Sequence, residues 1–101
     1  MNRNMLRQAQ QLQQRIMKMQ EELERVTVEA TAGGGAVKVT ATGKQRVTSI
    51  KIDPSAVDPQ DVTMLEDMVL AAVNEALDKA VEMANQKMSA VTGGMKIPGL
   101  M

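Results

Sequence analysis

The chain has no Phe, Tyr or Trp, no Cys and no His in its 101 residues, and each absence removes a class of function. Without cysteine there is no disulfide framework and no thiol chemistry, which excludes a secreted, disulfide-stapled fold; without histidine as well, the usual zinc ligands and the usual general base are missing. Without aromatics there is no platform on which bases can stack, which argues against single-strand binding modules of the stacking kind. The large buried areas that aromatics give small proteins are missing too, so ten Met together with Leu, Val and Ile must fill the core. A continuous apolar segment is also lacking. Met1 to Gln14 is rich in Gln and Arg, so neither a signal peptide nor a membrane span is expected, and the expected address is the cytoplasm.

Formal net charge is zero, but the charges are segregated. Residues 1–20 hold Arg3, Arg7, Arg15 and Lys18 and no acid. Residues 25–52 hold Arg25, Lys38, Lys44, Arg46 and Lys51 against Glu29 alone. Residues 53–82 invert the balance, with Asp53, Asp58, Asp61, Glu66, Asp67, Glu75, Asp78 and Glu82 against Lys79, and beyond Glu82 the only charged residues are Lys87 and Lys96. Both outer ends are basic and the acid lies mid-chain.

The stretch 24–53 is the only one that reads as sheet. Val26, Val28, Ala30 and Ala32 alternate with polar residues, as do Val37, Val39 and Ala41 after the Gly33-Gly34-Gly35 break. In the third run, Arg46 to Ile52, the apolar phase slips between Val47 and the pair Ile50 and Ile52, which predicts a bulge near Thr48-Ser49. The three runs predict a small antiparallel meander with one apolar face and one carrying Thr and Lys.

Helical periodicity flanks this stretch. From Arg3 to Glu24 the apolar positions Met5, Ala9, Leu12, Ile16, Met19 and Leu23 make a heptad seam, the pattern of a helix that lies along another helix. Its opposite side is Gln and base, which suits either a solvated face or an anionic partner. After Asp53-Pro54-Ser55 closes the third strand, Asp58-Pro59-Gln60-Asp61 reads as a helix start, with Asp58 as N-cap. The helix is expected to continue to Thr92 and stop at Gly93-Gly94. Such a rod is about 50 Å long, more than a small sheet spans, so its second half is expected to reach outward. The fold class is therefore α+β, with one domain over residues 1–92 and a flexible tail over 93–101.

Catalytic and cofactor motifs fail on inspection. The phosphate-loop pattern is not met, because Lys38 stands five positions before Gly43 and Gln45 follows Lys44. Gly33-Gly34-Gly35 joins two strands and is a hairpin turn. The carboxylates of the second helix are those of a solvated face. No metal, cofactor, small-molecule substrate or enzymatic activity is expected.

The segments MLRQAQQLQQRIMKMQEELERVTVEATAGGGAVKVTATGKQRVTSIKIDPSAV and MLEDMVLAAVNEALDKAVEMANQKM and the terminal GGMKIPG resemble the YbaB/EbfC family of bacterial nucleoid-associated proteins over essentially the whole chain. The resemblance implies an α-β-β-β-α subunit, a tweezer-like homodimer with projecting helices, and binding of double-stranded DNA in the nucleoid with little sequence specificity. It places DNA contacts on the first helix and the far end of the last, where this chain has Arg3, Arg7, Arg15, Lys18 and Lys87, with Lys96 in the tail. Arg3, Arg7 and Lys87 are expected at helix ends with no carboxylate nearby. The heptad seam, represented by Met5, Leu12, Ile16, Met19 and Leu23, is the expected dimer interface. The residues leave open a competing reading, a dimeric protein-interaction adaptor whose Met-rich seam holds another helix and whose contact with DNA is incidental.

Overall fold

A computed structural model describes residues 2–93. The elements run α1 (Arg3–Arg25), β1 (Thr27–Ala32), β2 (Val37–Thr42), β3 (Val47–Ile52) and α2 (Val62–Thr92), with one 3-10 turn at Pro54–Ala56, which is the α-β-β-β-α order the sequence predicts. The tail from residue 94 onward, with Lys96, lies outside the described residues.

Each boundary has a local cause. The Asn2 side chain accepts the Met5 N–H at 2.8 Å and caps α1, and α1 ends where β-branched Val26 turns extended. Between β1 and β2, Gly33, Gly34 and Gly35 all have positive φ, a backbone that only glycine adopts without strain. At Gly33 an added Cβ would also collide with the Met68 thioether.

The sheet has the order β1-β2-β3, antiparallel throughout. In the β2–β3 pairing, Thr40 faces Ser49 but Ala41 faces Val47, which leaves Thr48 without a partner. This is the bulge that the slipped apolar phase predicted, and it brings Val47, Ile50 and Ile52 to one face.

The start of α2 differs from expectation. The Asp58 carboxylate accepts the Gln60 N–H and the Asp58 carbonyl accepts the Asp61 N–H, both at 2.9 Å, so this aspartate closes a turn. Asp61 is the N-cap, accepting from Met64 N–H at 3.3 Å. Two aspartates compete here, and the local turn through Pro59 satisfies the first, leaving the second to start the helix. Asp53 caps the 3-10 turn in the same way, and the Ser55 N–H and hydroxyl hold its carboxyl below the ordinary value.

α2 lies over β1 and β2 and barely reaches β3. Ala72 and Ala76 meet Ala30, Val37, Val39 and Ala41 in a core whose largest fully buried side chains are Val37 and Val39. Small side chains let the helix approach closely, but they bury little area each, so the core of one subunit is thin.

α1 folds back antiparallel onto the second half of α2, burying Met19 and Leu23. That half of α2 is thus covered. What stands farthest out is the start of α1: Arg15 and Lys18 lie beside Ala90 and Val91 near the end of α2, so residues 3–14 continue beyond it for about 18 Å. The radius of gyration, 19.2 Å, far exceeds the roughly 13 Å of a compact chain this long.

The joint between α1 and the sheet is Gly43. A Cβ there would lie 2.6 Å from Leu23 Cδ2 and 3.0 Å from the Leu23 carbonyl oxygen, and the backbone oxygen cannot swing away. Gly43→Ala is therefore expected to destabilise the fold by about 1–3 kcal/mol, lowering Tm by roughly 4–8 °C for each kcal/mol. An unchanged thermal denaturation midpoint would show that α1 can be displaced at no energetic cost.

Candidate nucleic-acid interface

The expected basic residues fall into two groups. Arg3 and Arg7 lie exposed on the projecting part of α1, and among the described residues neither takes part in an ion pair. Arg15 and Lys18, three residues apart and so on one helical face, line an open groove with Met19, Glu22, Lys87, Ala90 and Val91. Four cations thus follow the arm from its end to the groove.

Lys87 corrects the sequence reading. Its ammonium donates to Glu22 Oε1 at 2.6 Å, with only 29% of the side chain exposed. The acidic end of α1 returns to the last turns of α2, so a carboxylate does lie beside Lys87. The other α2 lysine is likewise engaged: Lys79 donates to the Glu29 carbonyl at 3.0 Å and pairs with Glu75 at 3.9 Å.

The expected seam also divides. Met19 and Leu23 are covered within the subunit. Ile16 and Leu12 are half-buried, and Met5 is 58% exposed. Met5, Ala9 and Leu12 line a shallow depression with Gln8, Gln11 and Arg15, on the part of α1 that extends past α2.

A second apolar surface is not marked by the periodicity of the sequence. Because α2 stops short of β3, Ile50 and Ile52 remain exposed on the inner side of the edge strand. Ile52 borders an apolar depression with Leu65, Val69, Leu70 and Val73, and Leu70 is 61% exposed. The available signal was Leu70 itself, an apolar residue off the Ala72-Ala76-Ala80 stripe.

Among the described residues no buried side-chain polar atom lacks a partner and no group of three or more acidic side chains could hold a metal ion, and no helix is long and apolar enough to cross a membrane. A basic helix that projects from a small open sheet defines a protein that acts through an extended surface. The chain belongs to the YbaB/EbfC DNA-binding family, whose model matches residues 1–95. A nucleoid-associated protein of Pelotomaculum thermopropionicum is 58% identical over 96 residues, covering 95% of this chain and 91% of that protein. One of Thermoanaerobacter pseudethanolicus is 59% identical over 97 residues, covering 96% and 87%. A crystal structure of an uncharacterized protein from Helicobacter pylori shares the fold, with a TM-score of 0.78 over 92% of this chain and 99% of that one at 18% identity.

The Glu22–Lys87 pair gives the interface a pH dependence. The hydrogen bond from Lys87, then its charge, holds the Glu22 carboxyl below its ordinary value. A carboxyl with a depressed folded pKa stabilises fully above its unfolded value and loses that contribution as pH falls through the folded value. Glu22→Gln is expected to lower Tm at about pH 7, and the gap to the parent should close as pH drops below about 4. The effect is modest because the pair is partly exposed. A gap that stays constant down to about pH 2 would assign the effect to something other than the charge.

Proposed function

We propose that this protein is a nucleoid-associated protein of the cytoplasm that binds double-stranded DNA through its projecting helices, with little sequence specificity, and alters DNA conformation in the nucleoid. The observation that carries this reading is the placement of Arg3 and Arg7 on an exposed arm, in a chain whose first 20 residues contain no acid; Arg15 and Lys18 extend the same track toward the groove. The family match and the names of the relatives point the same way. Lys87 acts by holding the two helices together, and Lys96 adds a cation from the tail. Phosphate contacts of this kind carry no base information and release counterions, so binding is salt-sensitive. Arg3→Ala with Arg7→Ala should weaken affinity equally for unrelated duplex sequences and reduce the magnitude of the log-log salt slope by about 0.9 for each phosphate that is no longer neutralised. Normal binding by this variant in a salt series of gel shifts would refute the arm as the binding surface.

The working unit is a homodimer in which a second copy covers the Ile50, Ile52, Leu65, Val69, Leu70 and Val73 surface. A thin core beside this much exposed apolar area supports it. Two-fold pairing would also double the number of arms. Light scattering at micromolar concentration should give twice the mass of one chain, and Leu70→Asp should halve it without unfolding the subunit, since Leu70 is largely exposed. If Leu12→Asp splits the dimer and Leu70→Asp does not, the seam of α1 is the interface instead.

A further inference from the structure

The face of the sheet turned away from α2 carries an arrangement that the arms do not account for. Val37, Val39 and Ala41 point toward α2 and are fully buried, so Lys38 and Thr40 point the opposite way. Pairing places Thr31, Lys38 and Lys51 in one row across the three strands and Glu29, Thr40 and Ser49 in the next. Helix α1 touches the sheet only slightly, where Leu23 meets Gly43, so most of this face is open.

Lys38 and Lys51 are direct cross-strand partners, and like charges in that position destabilise a sheet. Glu29 lies 3.8 Å from Lys38, an exposed and therefore weak pairing. Among the described residues no carboxylate pairs with Lys51. The β2–β3 hairpin, residues 36–52, also carries Lys44 and Arg46 and contains no acid. Around the two lysines stand the hydroxyls of Thr31, Thr40 and Ser49, which hydrogen-bond phosphate oxygens. With no aromatic residue to stack on bases, this flat cationic face suits a sugar-phosphate backbone rather than unpaired bases.

We infer that the open face of the sheet, centred on Lys38 and Lys51, is a second binding surface for the phosphate backbone of duplex DNA, distinct from the arms, so that one molecule holds two duplex segments at once. The inference rests on the arms being the first DNA-binding surface. The outer end of the arm is well separated from the joint of α1 with the sheet, since Arg3 stands about 28 Å of helix away from Glu22.

The test uses the full chain and two duplexes of unrelated sequence, one tethered to beads and one labelled in solution. Lys38→Gln with Lys51→Gln should leave affinity for a single duplex within about twofold and the salt slope of that step unchanged. Capture of the labelled duplex on the tethered one should fall at least about fivefold, and the salt slope of capture should shrink by about 0.9 for each phosphate released. Its Tm should not fall, because a like-charge pair has been removed. Lys38→Arg with Lys51→Arg should restore capture. Undiminished capture by the Gln variant would overturn the inference while leaving the arms in place. If the Gln variant fails to bind even one duplex and Arg3→Ala with Arg7→Ala binds normally, the sheet is the sole site, and both the inference and the arm reading fail. Preferential capture of double-stranded RNA by the same face would overturn the choice of DNA.

Discussion

The structure depends on the close approach of α2 to the sheet. Ala72 and Ala76 sit against Val37, Val39 and Ala41 with no exposure at all. Small side chains set this distance and at the same time limit the apolar area one subunit can bury. The exposed Ile50, Ile52 and Leu70 are the complement of that limit: the side chains that would enlarge the core point past the edge of α2.

From this packing the rest of the architecture follows. α2 is longer than the sheet beneath it, so its second half has no strands to cover it and takes α1 instead. The close fit of Gly43 against Leu23 fixes where α1 leaves the sheet, and the Glu22–Lys87 pair fixes where it lies on α2. The remaining turns of α1 extend past Thr92 and carry Arg3 and Arg7 with them. Lys87, expected at a helix end with no carboxylate nearby, is instead paired with Glu22 in the clasp that aims the arm.

Charge segregation explains how a chain with no net charge can meet a polyanion. Glu66, Asp67, Glu75, Asp78 and Glu82 all lie on α2 before its last ten residues, so phosphate is repelled from the part of that helix that lies over the sheet and just beyond it. Cations are concentrated on the arm and on the acid-free β2–β3 hairpin. On the proposed reading, the acidic surface restricts phosphate contact to these places rather than opposing it, because screening confines each charge to about 8 Å at physiological salt.

Local pattern determined every element. The period-2 alternation gave two strands, the phase slip between Val47 and Ile50 gave the bulge at Thr48, the heptad spacing gave α1, and Gly93 gave the end of α2. Each of these is legible because it depends on neighbours within a few residues. The start of α2 was legible only to within three residues, since Asp58 and Asp61 are both competent caps and the Pro59 turn chose between them. The tertiary structure alone decided what the elements cover. It paired Glu22 with Lys87, 65 residues apart, buried Met19 and Leu23 inside the subunit, and left Ile50, Ile52 and Leu70 in the open. It also set Lys38 against Lys51, since pairing register depends on where the bulge falls. Sequence periodicity reports that a face is apolar or basic; which surface meets it is fixed by the lengths of helix and sheet and the distance between them, and no single segment carries that information.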